Sequence, residues 1–404
     1  MEFSEQRPVM KKINVFIIGS KGYTADYGGW ETFVHGLIDN WKDNKVAFYV
    51  FEIVNNKNEE GIVRTDRLTC IRVYVKNSGS RTMMIYDLKC TGYARNYIRE
   101  HNISNPVLLY LGMRIGPLVW LNKPAMRREG IKVIENPDGM EWKRTKWNCL
   151  VQLYLYVSAH FMSNAADYIV CDSKKIQDIY DRMPGAGKIK KTCITYGARP
   201  AEELSEPMTD RVKAFFDKWG INRDGYYLIL GRYTPENNYE MMLKGFMSSK
   251  SRRDALIITN YADEIPSFHE HIRESTNYEK DERVKMAGSV YDREILKYIR
   301  GYAHGYIHGH MVGGTNPGLL EAMSSTDVNI LFDSSFNREV GEDSVLYFSS
   351  ADELRERIES VDCFSEKTIC EYGIMAKKRI LKYYSWDETV AKYERLFYAI
   401  WDYE

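Results

Sequence analysis

Short runs of β-branched and apolar residues alternate with helix-like stretches along the whole chain, and this alternation limits the fold more than any other feature. "INVFIIG" (13–19), "VAFYVFEI" (46–53), "VLLYLG" (107–112), "IKVIEN" (131–136), "YIVC" (168–171) and "CIT" (193–195) read as strands buried on both faces. Strands of that kind with helices between them predict a parallel sheet in an α/β domain. The polar stretch "ARPAEELSEP" (198–207) interrupts the pattern. It restarts with "YYLILG" (226–231), "ALIIT" (255–259), "VKMAG" (284–288), "GYIHG" (305–309) and "VNILF" (328–332). At 404 residues the chain exceeds one typical domain. The expected organisation is one doubly wound domain over 1–198, a second over 199–384, and a final helix over 385–404 that crosses back to the first.

In such sheets ligands bind beyond the carboxyl ends of the strands, so the loops that follow strands carry the functional information. After the first strand, "GSKGYTADYGGWETFVHGL" sets Gly28 and Gly29 ahead of a helix that includes Glu31 and Thr32. This is not G-x-G-x-x-G and supplies no acid for a nicotinamide ribose, which disfavours a dehydrogenase. "GRYTPENNYE" puts Arg232 at a strand end in the second domain. "GGTNPGLLEAM" (313–323) follows "GYIHGH" and predicts a helix start, with Asn316 as N-cap and Pro317 at the first helical position. Gly313 and Gly314 let the backbone come close to a ligand, and free first-turn amides favour an anion such as phosphate. Glu321, about one turn further in, suits hydroxyls better than phosphate. Phosphate beside hydroxyls describes a nucleotide; the alternative is an ordinary loop and cap.

Composition removes several function classes. Lysines plus arginines number 56 and so do aspartates plus glutamates, so no global basic excess points to nucleic acid. The seven cysteines form no C-x-x-C pair, which predicts a reducing compartment and no cysteine zinc site. The first apolar run, 13–18, is shorter than a signal-peptide core or a membrane span, and cytoplasm is the expected location.

Taken together, "GGWETFV", "NPDGMEWKRTKW" (136–147), "GRYTPENN", "HGHMVGGTNPGLLEAM" and "FNREV" (336–340) resemble the retaining GT-B glycosyltransferases of family four, group one, and within them bacterial polysaccharide rhamnosyltransferases of the capsule and O-antigen type. The resemblance spans both halves, with its motifs in order. It implies an α/β GT-B fold of two doubly wound Rossmann-like domains facing a central cleft, with a nucleotide-sugar donor, dTDP- or UDP-linked, held mainly by the second domain and a saccharide acceptor, lipid-linked, held mainly by the first. By the same resemblance Gly28 and Gly29 approach the donor diphosphate and Arg232 neutralises it. Thr315, Asn316 and Gly318 form the phosphate-facing helix start, and Glu321 holds the ribose. The family usually carries a glutamate where this chain has Gly313, and many members carry a lysine where it has Asn237.

No D-x-D occurs in the chain. A departing diphosphate can be stabilised by a metal ion or by arginine, amides and a helix dipole, and the absent motif favours the second arrangement. No cofactor or metal is therefore expected. Asp138, Arg232 and Glu321 are the candidate catalytic residues; Arg114, Asp138 and Glu141 are acceptor candidates. Asp138-Gly139 also reads as a turn, and Arg114 as a surface arginine. His304, His308 and His310 lack a carboxylate or cysteine to complete a metal site, so a structural role at a strand end is expected. In "KRTKWNCLVQLYLYVSAHFM" (143–162) the apolar surface runs almost all round a helix behind Lys143, Arg144 and Lys146. It reads as a core helix or as contact with an anionic membrane surface, which would make the protein peripheral on the inner membrane face. Two other readings share the architecture: a nucleotide-sugar epimerase, and a non-catalytic partner subunit.

Overall fold

The computed structural model describes residues 11–24, 28–77, 81–137, 139–144, 147–260 and 266–402. Contacts divide the chain into two units, Met1–Asp138 with Cys149–Ile194 and Thr389–Glu404, and Gly139–Asn148 with Thr195–Glu388. The last helix, Trp386–Ala399, thus has its residues from Thr389 onward in the first unit. The segment Gly139–Asn148, which chain order alone assigns to the first domain, belongs to the second.

The first unit holds β1 (Ile13–Ile18), β2 (Val46–Val54), β3 (Gly61–Arg64), β4 (Leu68–Tyr74), β5 (Pro106–Leu111), β6 (Lys132–Asn136), β7 (Tyr168–Cys171) and β8 (Lys190–Cys193) in the order β3-β4-β2-β1-β5-β6-β7-β8. All neighbours are parallel except β3, which pairs antiparallel with β4 at the edge. Every residue of β1 and β5 is buried, as continuous apolar runs covered by helices on both faces require. The C-terminal segment packs here through Tyr393, whose ring lies 5.5 Å from that of Phe33 and whose hydroxyl accepts from Asn136 Nδ2 at 3.4 Å.

The second unit holds β9 (Tyr226–Leu230), β10 (Asp254–Ile258), β11 (Val284–Gly288), β12 (Gly305–His308), β13 (Asn329–Phe332) and β14 (Leu346–Phe348), all parallel, in the order β11-β10-β9-β12-β13-β14. Its core gathers Tyr227, Ile229, Ile257, Ile307 and Ile330 from the strands with Leu243, Phe246, Leu354 and Ile358 from helices. In each sheet the chain winds outward in two directions from a central pair, β1 and β5 in one and β9 and β12 in the other. Loops leaving those strands diverge there, and the carboxyl ends of strands at such a point are where α/β sheets bind ligands.

The helix Cys149–Ala165 departs from the expected core helix. It buries Leu155, Ser158, Ala159, Met162, Ser163 and Ala165, mostly small residues, while Leu150 is 74% and Leu153 60% exposed. The reason is a close crossing with the helix Gly116–Arg128: a Cβ on Gly116 would fall 2.0 Å from the Ser158 carbonyl oxygen, and the Gly116 N–H donates to Ser158 Oγ at 3.0 Å. Small residues form the contact, so the large apolar side chains face outward. Among the described residues no helix is long and apolar enough to cross a membrane.

Candidate active site

In the second unit the loops after β9 and β12 leave from the switch point and are tied together by polar contacts. Asn237 Nδ2 donates to the Arg232 carbonyl at 2.6 Å, Tyr239 Oη to the Gly231 carbonyl at 2.8 Å, and Asn238 Nδ2 to the Gly309 carbonyl at 2.8 Å. The Met311 N–H returns to the Glu236 carbonyl at 3.0 Å. Asn337 Nδ2 donates to the carbonyls of His310 and Phe332, both at 2.8 Å. Gly309 admits no side chain, because a Cβ there would lie 2.2 Å from the Asn237 carbonyl oxygen.

Beyond β12 the chain enters the helix Pro317–Ser325. Asn316 caps it from an extended conformation, with Oδ1 accepting from the Leu319 N–H at 3.3 Å. The Gly318 N–H, one of the first-turn donors that a helix leaves open, has no partner among the described residues. Thr315 is buried. Gly313 has φ +144°, and a Cβ on Gly139 would touch its Cα at 2.9 Å, so these two glycines meet backbone to backbone. Glu321 Oε2 accepts from Arg300 Nη2 at 2.5 Å, and its side chain stays 39% exposed.

The charges at these loops are uneven. Arg232 is exposed and makes no ion pair or hydrogen bond through its guanidinium among the described residues. Arg144 is held by Glu141, Nε to Oε2 at 2.7 Å, and Glu141 Oε1 accepts from Trp147 Nε1 at 3.0 Å. The acceptor candidate Glu141 is thus engaged inside its own segment. Asp138 and Lys146 lie outside the described residues. His310 Nδ1 lies 2.7 Å from Asn237 Oδ1. Burial, then the nearby Arg144 and Arg232, push the His310 imidazole down to about 3, with the Val312 carbonyl working weakly the other way. His308, buried against His310 with Nδ1 2.9 Å from Tyr306 Oη, is likewise pushed down to about 3, by burial first. Both rings are neutral at pH 7. The described residues contain no cluster of three or more metal-ligating side chains.

In the first unit Gly28 precedes the helix Gly29–Asp39 with φ +140°, and a Cβ there would fall 1.9 Å from Glu31 Oε2. Glu31 in turn accepts from the Lys21 N–H at 2.8 Å, closing the loop after β1. Among the described residues, chain neighbours aside, no atom lies within 4 Å of Gly29's Cβ position. Arg114 pairs with the buried Asp87, Nε to Oδ2 at 2.7 Å, and Nη2 donates to the Gly19 carbonyl at 2.8 Å. It braces the loop after β1.

Sequence reasoning brought Arg232, Gly313, Thr315, Asn316, Gly318 and Glu321 to one region, and the structure sets them in two linked loops and one helix. It missed the pairing of Asn237 with His310 and of Arg300 with Glu321. Arg300 ends the helix that precedes β12, a place where a cation can return to the next helix, but no local pattern marks that partner.

The comparisons with known proteins agree with this architecture. Sucrose-phosphate synthase from Thermosynechococcus elongatus superposes with a TM-score of 0.76 at 12% identity, over 97% of this chain and 100% of that one. HepE from Anabaena in complex with UDP gives 0.68 at 10% identity, over 96% and 100%. A trehalose-6-phosphate structure from E. coli bound with UDP-2-fluoro glucose gives 0.71 at 10% identity, over 95% and 99%. The fold is GT-B. A family profile described as "Domain of unknown function (DUF1972)" matches residues 12–199 of this GT-B chain. No curated protein matches it in sequence.

Proposed function

We propose that this GT-B protein is a glycosyltransferase that moves a sugar from a nucleotide-sugar donor to a saccharide acceptor, with rhamnose from dTDP-rhamnose as the sugar, retention of configuration and no metal. The observation that carries the reading is Arg232, unpaired among the described residues, at the switch point of the second sheet, in a loop network that continues to the helix start at Asn316. An exposed guanidinium with no ionic partner among the described residues and the open Gly318 N–H at the helix start suit a diphosphate leaving group. Glu321, whose Oε2 accepts from Arg300 and whose side chain is partly open, takes the ribose hydroxyls in this reading. Neighbours of the same fold bound to UDP or UDP-2-fluoro glucose support a nucleotide-sugar ligand.

The acceptor in this reading is lipid-linked, in cell-surface polysaccharide synthesis. Supporting it, the packed helices Gly116–Arg128 and Cys149–Ala165 expose Leu118, Trp120, Leu121, Leu150, Leu153 and Tyr156 on one unit. Large apolar side chains left exposed on two packed helices are the kind of surface that meets a partner or a lipid surface. Thermal shift with UDP, dTDP and their sugars tests the donor, since a ligand of the folded state raises the melting temperature. A transfer assay with and without EDTA then tests the chemistry. No stabilisation by any nucleotide overturns the reading; conversion of donor without acceptor makes the protein an epimerase; rescue of EDTA-treated protein by Mg²⁺ overturns the metal-free site. Vesicles with anionic lipid should bind the parent and lose the Leu121→Glu, Leu153→Glu variant.

A further inference from the structure

His310 is a neutral side chain set among charges, and its hydrogen bonds define which nitrogen carries the proton. The Arg232 carbonyl can only accept, so the Asn237 group 2.6 Å from it is the NH₂, and Oδ1 is the atom that faces His310 Nδ1 at 2.7 Å. A carbonyl oxygen there requires Nδ1 to be the donor. In a neutral imidazole the other nitrogen, Nε2, is then a bare acceptor. No side-chain hydrogen bond reaches His310 Nε2 among the described residues, the Val312 backbone acts only weakly on the ring, and His310 is half-buried where His308 is buried. Nε2 points toward the side-chain position of residue 313, where a Cβ would lie 3.1 Å from it; among the described residues, chain neighbours aside, only His310 comes within 4 Å of that position.

We propose that His310 reads a hydroxyl of the donor's sugar: Nε2 accepts from that hydroxyl in the space left open by Gly313, and Asn237 fixes the acceptor by holding Nδ1–H. The proposal rests on the nucleotide-sugar reading above. A neutral acceptor suits this place because a hydroxyl can donate to it, whereas a phosphate oxygen meets its lone pair and is left to Arg232. The ring therefore sorts the two ends of the donor, taking hydroxyl and refusing phosphate. Gly313 matters for the same reason, since any side chain at 313 would occupy the position the hydroxyl needs.

The test measures the sugar's own share of binding. Calorimetric affinities for UDP, UDP-glucose, dTDP and dTDP-rhamnose are compared in the parent, His310→Phe and His310→Gln, the last chosen because its amide oxygen reaches toward the Nε2 position. His310→Phe should leave nucleoside diphosphate affinity unchanged and weaken the preferred nucleotide sugar about threefold to tenfold, the range for one neutral hydrogen bond. His310→Gln should recover part of that loss. In the parent, ¹⁵N spectra of labelled histidine should show a Nδ1–H tautomer whose Nε2 signal moves with the nucleotide sugar and stays put with the nucleotide. That readout decides the matter if His310→Phe does not fold. Equal loss for nucleotide and nucleotide sugar, an Nε2–H tautomer, or an unmoved Nε2 signal overturns the role of His310 and leaves the donor site standing. A parent that binds none of the four ligands overturns both.

Discussion

Arg114 and Arg232 stand in corresponding places in the two units, each within three residues of the end of a strand at its sheet's switch point, yet they do different work. Arg114 is bound to buried Asp87 and to the Gly19 carbonyl, so its charge is neutralised and its geometry holds a loop. Arg232 has no ionic partner among the described residues. The difference lies on another element: Asp87 belongs to the helix Thr82–Glu100, and among the described residues no carboxylate pairs with Arg232. Under the proposed function, the arginine left without a partner is the one that meets the donor, and the paired one braces a loop.

The largest effect should come from breaking the brace. Arg114→Ala leaves the Asp87 carboxylate buried without its counter-ion, which costs about 3 to 5 kcal/mol for pairs of this kind. Burial already pushes the Asp87 carboxyl up against the pull of Arg114. Denaturant melts should show the loss, Asp87→Asn in the same chain should recover part of it, and nucleotide binding by the folded fraction should persist. Arg114→Ala that melts like the parent while losing nucleotide would reverse the comparison.

The two units should also answer pH in opposite directions. In the first, Glu135 is fully buried, and burial, opposed only by a weaker pull from the Ser163 hydroxyl, pushes it up to about 8. The folded state then holds a proton that the unfolded chain releases above its ordinary carboxyl value. Stability falls as pH rises from about 4.5 to 8, by about 1.4 kcal/mol per pH unit. In the second, His308 and His310 are pushed down to about 3. There the unfolded chain binds the protons, so stability is full above about 6.5 and is lost as pH falls toward 3, with a similar slope for each ring. Calorimetry across pH should separate the two trends, and Glu135→Gln should flatten only the alkaline one.

How far such differences were legible in the sequence depended on whether they were local. The strands β1, β5, β9 and β12 were visible because burial on both faces makes unbroken apolar runs. β3 was not, since all four of its residues are exposed at an antiparallel edge, and β4 alternates buried and half-buried residues. β14 is only three residues long. The Asn316 cap was legible because Asn followed by Pro ahead of good helix formers has one local meaning, and the structure shows that cap. The apolar stripe of 143–162 misled, because the tight crossing at Gly116 selects small residues for burial. Gly313 and Asn237 stood out as departures from a family pattern. That they converge on His310, one at each nitrogen, needed coordinates.

Breaking the free arginine should show in binding and not in melting. Arg232→Ala removes a charge-assisted contact worth about 1.5 to 3 kcal/mol, or roughly ten- to a hundredfold in nucleoside diphosphate affinity. The melting temperature without ligand should stay within a degree or two, as expected for an exposed side chain with no partner. Glu321→Ala should lose up to a similar factor for UDP and less for dTDP, whose deoxyribose offers one hydroxyl fewer. Undiminished affinity in Arg232→Ala would make that arginine a surface residue and erase the contrast with Arg114.

The smallest effect separates two adjacent glycines. Gly28 is explained by the fold, with a positive φ and Glu31 where a side chain would go. Gly29 is not: it opens the helix Gly29–Asp39, and among the described residues nothing beyond its chain neighbours lies at its Cβ position. Within a helix alanine is more stable than glycine by about 0.5 to 1 kcal/mol, so Gly29→Ala should raise the melting temperature slightly in the absence of ligand. If a diphosphate must approach the backbone at Gly29, the added methyl group should at the same time weaken nucleotide-sugar binding severalfold, a loss made visible by calorimetry on the same preparation. A variant that is slightly more stable and binds as tightly as the parent would make Gly29 an ordinary helix start, and would leave donor recognition to the loops around Arg232 and Asn316.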